Sequence, residues 1–166
     1  MQKVSDVLVK ESASALVAAL KAKKKTFGTA ESCTGGLIAK TLTDIPGASE
    51  VFYGSVVSYD NSVKTALLGV KKETLAAVGA VSEDVARQMA EGAKARLGVD
   101  ITVAVTGIAG PGGGTAEKPV GLVYIAVCDE NGKTKCEKCL FDGTREEIRN
   151  ATARRAMQSA TEAVLN

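Results

Sequence analysis

Histidine and tryptophan are both missing from the 166 residues, and proline occurs only three times. The first absence excludes the most. Without imidazole there is no Ser-His-Asp triad and no Cys-His pair, and the His-containing zinc-deaminase signature is excluded with them. Aromatic residues make up 4 % of the chain, which argues against stacking platforms for single-stranded nucleic acid. Neither sign of charge is in excess: 21 basic against 19 acidic residues leave +2, so nothing favours a polyanion. The one basic cluster, residues 21–25 (KAKKK), reads as a solvated helix end. No apolar run is long enough to span a bilayer, and the start lacks the charged-then-apolar order of a secretion signal. A cytoplasmic protein with neither a membrane nor a nucleic-acid partner is predicted.

Cysteine is sparse as well, with four in the chain. Cys136 and Cys139 form the lone CxxC, and a single pair without histidine is a poor zinc site. The pair lies in a polar, strand-forming segment, where a thioredoxin-type motif would lead into a helix. No metal and no cofactor is expected.

What is present alternates between two periodicities. Val7, Leu8, Leu16 and Leu20 recur at helical spacing behind Ser5 as N-cap. Residues 26–30 read as a short strand, LIAKTLTD after Gly36 as a helix, and residues 51–59 (VFYGSVVSY) as a second strand. Asp60-Asn61 caps a short helix through Leu68. Ser82 opens a helix whose face is Val85, Met89, Ala93 and Leu97, and Gly98 stops it. The apolar run ITVAV at 101–105 reads as a strand buried on both faces. Residues 120–127 and 134–141 form a hairpin around Asn131-Gly132. Thr144 and Glu147 make a capping box for the last helix, where Ala153, Met157, Ala160 and Val164 share a face. Strands separated by helices, plus one hairpin, predict a single three-layer α/β/α sandwich with a mixed sheet, spanning residues 1–166 as one domain.

Two loops leave the carboxyl ends of central strands: ESCTGG, at 31–36, and TGIAGPGGG, at 106–114. Ligands bind at that edge in open α/β sheets, and amides at a helix start attract anions. Neither loop fits Walker A or GxGxxG. Ser32 has the setting of a nucleophile on a tight turn, so its base must be a lysine, a carboxylate or a water. Bringing a lysine from about 10.4 to 7 costs some 4.6 kcal/mol, a shift that burial and a nearby cation supply. Lys64, in SYDNSVKTALLG, has a mostly apolar context one turn past a strand end. Lys40 and Lys118 compete with it on composition alone. Arg145 follows the Thr144 cap, where it either balances Glu146 and Glu147 or grips a phosphate.

TAESCTGGLIAKTLTDIPGAS, GSVVSYDNSVKTALLGV, GAVSE, VTGIAGPGGGTAEKPVG and FDGTREEIRNATARRAM together resemble the CinA C-terminal-domain family, in unbroken order from about Thr26 to the end. The resemblance implies an amidohydrolase that converts nicotinamide mononucleotide to nicotinate mononucleotide and ammonia, on a one-domain α/β/α fold that self-associates. It places Ser32 on the nucleophile, Lys64 on the base and Tyr59 on a hydroxyl that positions that lysine. It places Thr34, Gly35 and Gly36, with Thr106, Gly107, Gly110, Gly112 and Gly113, on substrate and oxyanion loops, and Arg145 on the phosphate contact. Gly113-Gly114 departs from relatives that carry a charge there. A cysteine enzyme built on Cys33, a non-catalytic nucleotide-binding module, and a redox or zinc role for Cys136 and Cys139 remain as alternatives.

Overall fold

The structure, a computed structural model, describes residues 5–166. In chain order its elements are α1 (Asp6–Lys23), β1 (Phe27–Glu31), α2 (Leu37–Thr43), a 3-10 turn (Ala48–Glu50), β2 (Phe52–Val57), α3 (Asn61–Leu68), α4 (Lys72–Val78), α5 (Glu83–Leu97), β3 (Ile101–Gly107), β4 (Leu122–Cys128), β5 (Thr134–Leu140) and α6 (Arg145–Leu165). The five strands make one sheet in the order β2-β1-β3-β4-β5. β2, β1 and β3 run parallel, whereas β4 and β5 are antiparallel to their neighbours. The predicted α/β sandwich with a mixed sheet is the observed architecture.

Alternation along the strands divides the core in two. Phe27, Ile101, Val103, Val105, Val123 and Ile125 point to one face and pack against α1, α2 and α6. Ala30, Ala104 and Ala126 point to the other, against α5 and the end of α3. Large side chains on the first face each contribute roughly 1.5–3 kcal/mol by burial. Small ones on the second let α5 lie close enough for the Thr102 hydroxyl to donate to Ala90 O at 2.7 Å. Gly92 takes the same logic to the contact between helices: a Cβ there would stand 1.9 Å from Leu68 O, so α3 rests on α5 only because that position is glycine.

Most caps behave as the sequence implies. Ser82 accepts from Val85 N, Asp60 accepts from Ser62 N, and the Thr144–Glu147 box is complete. Three expectations change. Ser5 occupies the N-cap position without a side-chain cap bond. Val7 is 64 % exposed, because the buried stripe of α1 runs through Val9, Ala13, Leu16, Val17 and Leu20. The hairpin is wider than a two-residue Asn-Gly turn: Asp129 N–H donates to Lys133 O, and the Asp129 carboxylate accepts from the amides of Asn131 and Lys133. That carboxylate satisfies the turn amides, so three residues fit between the paired ends.

Candidate active site

β1, β2 and β3 end together at one edge of the sheet, and a cleft of about 210 Å³ opens there. Ser32, Tyr59, Lys64, Thr106, Gly107 and Arg145 line it together with Cys33 and Ala109. Half of the twelve positions predicted for the site therefore meet in one hollow.

Ser32 follows β1 directly. Its amide donates to Val105 O at 3.1 Å and its carbonyl accepts from Gly35 N at 3.0 Å, which fixes the turn. Its hydroxyl makes no hydrogen bond with any described residue, which leaves it available to the cleft. What holds the turn rigid is Glu31, a residue that sequence reasoning passed over. This fully buried carboxylate accepts from the Thr34 hydroxyl at 2.8 Å and from the amides of Ile38 and Ala39 at 2.9 and 3.0 Å. More distant contacts at 3.3 Å come from the hydroxyls of Thr29 and Ser55. Glu31 thus satisfies the start of α2 with the chain's own anion. Its signal was in the sequence: a glutamate at the end of an apolar strand, six residues before a helix that has no capping side chain. Arg149 braces the same turn by donating to Cys33 O at 3.2 Å and Thr34 O at 2.6 Å.

This arrangement corrects the expectation that the amides opening α2 hold the ligand. Thr34 is buried on Glu31, and neither Gly35 nor Gly36 lines the cleft. Gly35 and Gly36 have φ of 59° and 96°, and they serve to turn the chain into α2.

Lys64 is 1 % exposed, and its amine donates to Ser58 O at 2.8 Å and Tyr59 O at 3.0 Å. No carboxylate pairs with it among the described residues. Burial, opposed by the charge of Asp60, holds the amine below the usual lysine range. The competing lysines are occupied: Lys40 pairs with Asp44 on the surface, and Lys118 donates to Val78 O. Tyr59 needs a correction. Its backbone carbonyl holds Lys64, whereas its hydroxyl accepts from Arg145 at 3.1 Å.

Arg145 also donates to Gly110 O at 2.7 Å and forms no ion pair with a described carboxylate, so an exposed, unneutralised cation stands at the cleft mouth. Thr106 donates its proton to Ala80 O at 2.9 Å, which leaves its oxygen as an acceptor, not a donor, toward a ligand. Gly112 and Gly113 lie exposed beyond the lining. Gly114 has a packing reason to be glycine, since a Cβ there would stand 2.7 Å from Val120 N. The amides of Cys33 and Ala109, like those of Tyr59, Asn61, Ala80, Val81 and Arg145 in the same lining, make no hydrogen bond to a described oxygen.

Cys33 contributes to the wall but is 6 % exposed, and burial pushes its thiol up to about 11. That thiol is protonated near neutrality and lacks the lowered pKa that activates a cysteine nucleophile. Cys136 and Cys139 pack on opposite faces of β5, the first toward α5 and the second toward α6. An odd spacing on a strand dictates this, and it prevents the two thiols from sharing a metal or a disulfide. A larger hollow of about 470 Å³ lies near the other edge of the sheet, between the β4–β5 hairpin and the end of α6. Of its carboxylates, Glu137 is committed to Arg155 and Ser159, Glu162 to Arg155 and Glu130 to Lys25. Size alone does not make it the reactive site. No described helix is long and apolar enough to cross a membrane.

The family model for the CinA C-terminal domain matches residues 9–164. A CinA-like protein of Leptospira borgpetersenii is 58 % identical over 131 residues, 79 % of this chain and 31 % of that protein. A CinA-like protein of Syntrophomonas wolfei is 50 % identical over 144 residues, covering 87 % of this chain and 34 % of the relative. The chain thus spans about a third of the length of the curated relatives it matches. Among solved structures, the competence/damage-inducible protein CihA of Agrobacterium tumefaciens superposes with a TM-score of 0.92 at 46 % identity, covering 96 % of each chain. A CinA superfamily protein of Escherichia coli gives 0.89 at 32 %, over 98 % of this chain and 93 % of that one.

Proposed function

This chain belongs to the CinA C-terminal-domain family, and from that premise we propose that it hydrolyses the carboxamide of nicotinamide mononucleotide, giving nicotinate mononucleotide and ammonia. One observation carries the reading: a single cleft combines a hydroxyl, a buried amine and a guanidinium that have, among the described residues, respectively no hydrogen-bond partner, no bonded carboxylate and no ion pair. At about 210 Å³ the cleft is smaller than the ~300 Å³ at which pockets for whole small molecules begin. It suits the pyridine amide end, with the phosphate reaching out to exposed Arg145.

Uncharged Lys64 is the base for Ser32, whose oxygen attacks the carboxamide carbon. The amides of Cys33 and Ala109 are the donors for the oxyanion that forms; one such donor is typically worth about 2.7–4 kcal/mol. Lys64, now an ammonium, returns the proton to departing ammonia, and water then cleaves the acyl-serine. The pyridinium cation of the substrate favours the uncharged amine further.

Ammonia release from nicotinamide mononucleotide by the purified chain, abolished in Ser32→Ala, is the expected result. Saturable binding without turnover across a panel of pyridine amides would replace the enzyme with a nucleotide-binding module.

A further inference from the structure

Ser32 and Lys64 share the cleft, yet no hydrogen bond joins them. We propose that Ser58 is the link, a hydroxyl that carries the proton of Ser32 to Lys64; this rests on the function proposed above and supplies its missing contact. Among the described residues, the Ser58 hydroxyl is the one buried side-chain polar atom without a hydrogen-bond partner, in a residue that is 0 % exposed. Such an orphan costs about 1–3 kcal/mol and calls for an explanation.

Its place in the sheet gives one. β1 and β2 pair with Glu31 opposite Val57, and the Ser58 amide extends that ladder by donating to Glu31 O at 2.8 Å. Ser58 therefore stands beside Ser32. On the other side, the pairing of Glu31 with Val105 sets Thr106 beside Ser32. Val56, Ala30 and Ala104 all face α5, and the next residue on that face is Ser58, Ser32 and Thr106 respectively. Three hydroxyls form a row across three strands, with Ser32 in the middle. Neighbouring strands are about 4.8 Å apart, so χ1 rotation of the two serines brings their oxygens to hydrogen-bond length.

Hydrogen-bond polarity selects the direction. An uncharged lysine has two N–H bonds, and both are spent on Ser58 O and Tyr59 O. Its lone pair remains, and Ser58 has a proton with nowhere to go. The chain closes as Ser32 Oγ–H donating to Ser58 Oγ, and Ser58 Oγ–H donating to Lys64 Nζ. As the Ser32 oxygen bonds to the carboxamide carbon, its O–H bond breaks and the carbonyl pair moves onto the oxyanion. Ser58 accepts that proton and passes its own to Lys64, which becomes an ammonium while Ser58 stays a neutral hydroxyl. The reverse path serves the departing ammonia.

Ser58→Ala tests this cleanly, because it deletes a hydroxyl that holds nothing else in place. A merely structural serine predicts an unchanged or raised melting midpoint and unchanged turnover. The relay predicts an unlowered midpoint, a kcat reduced about 10²–10³-fold and a KM within about twofold. Labelling of Ser32 by a fluorophosphonate reads its nucleophilicity without any amide substrate, and should slow by the same factor. Fast labelling of the wild type, slow labelling of the variant and no ammonia from nicotinamide mononucleotide would refute the substrate while upholding the relay. Variant labelling at the wild-type rate, a kcat within about threefold, a lowered midpoint in the variant, or a wild type never labelled at Ser32 would each overturn it.

Discussion

The turn of Ser32 lies near two buried ionisable side chains whose surroundings differ sharply. On the α2 side, Glu31 collects two amides, the Thr34 hydroxyl and a further proton from the mutually bonded Thr29–Ser55 pair. On the α3 side, Lys64 has two backbone carbonyls and, among the described residues, no carboxylate bonded to it; Asp60 offsets its burial only through its charge. A carboxylate with that many donors has its oxygens satisfied and serves to hold shape. An ammonium with so few acceptors is not so satisfied, and it gains by shedding a proton. The chain thus places a satisfied group where rigidity is needed and an under-satisfied one where a proton must move. On the proposed function, that contrast marks the Lys64 side of the turn as the reactive one.

Breaking the reactive side should have the largest effect. Ser32→Ala is expected to lower turnover by at least about 10⁴-fold in an ammonia assay, as deletion of a serine nucleophile does elsewhere. Its melting midpoint should hardly move, since the hydroxyl bonds to no described group. Lys64→Met should lower kcat about 10²–10⁴-fold. The same variant sharpens the contrast through pH. Because burial lowers the folded-state pKa of Lys64 below the ordinary lysine value of 10.5, the unfolded chain binds more protons between the two values. Wild-type stability therefore rises with pH across that window, and the penalty is fully present below the folded pKa. Thermal melts should show Met gaining most over Lys at pH 6 and least near pH 10.5. An advantage independent of pH would mean that the amine is charged in the fold.

The satisfied side should fail differently. Glu31→Ala leaves the amides of Ile38 and Ala39 and the Thr34 hydroxyl unpaired, so a loss of about 3–5 kcal/mol is expected in denaturant unfolding. Activity would then fall with the folded fraction. A variant that stays stable yet is inactive would move Glu31 into the chemistry and erase the contrast. Smaller still is Arg145→Ala, expected to raise KM about 10–100-fold with kcat little changed, as loss of a charge-assisted phosphate contact predicts. An equal rise in KM for nicotinamide, which lacks the phosphate, would contradict that role.

Much of this was legible in the chain because it is written in local periodicity. The α5 stripe, the Thr144 box and the doubly buried β3 are all matters of spacing within one segment. Ser32 could be singled out from its turn. The absence of histidine pointed to lysine, but not to which lysine. Lys64 stands apart from Lys40 and Lys118 only once α3 is docked, and that docking depends on Gly92 lying under Leu68. Tyr59 was the right residue with the wrong atom, since local sequence does not say whether a carbonyl or a phenol meets the amine. Glu31 left a local trace that was passed over, and Ser58 left none, for a related reason. Their roles come from strand register, which sets Glu31 against α2 and Ser58 beside Ser32. The anion site expected at α2 failed because the chain fills it itself.

The protonation of Lys64 tests the central claim most directly. Titration of the lysine amines by nitrogen NMR, assigned through Lys64→Met, should reveal one amine with a midpoint below 10.5. It should change in step with the pH dependence of kcat/KM. A Lys64 amine that titrates at or above that value, or a pH profile that survives unchanged in Lys64→Met, would contradict the account.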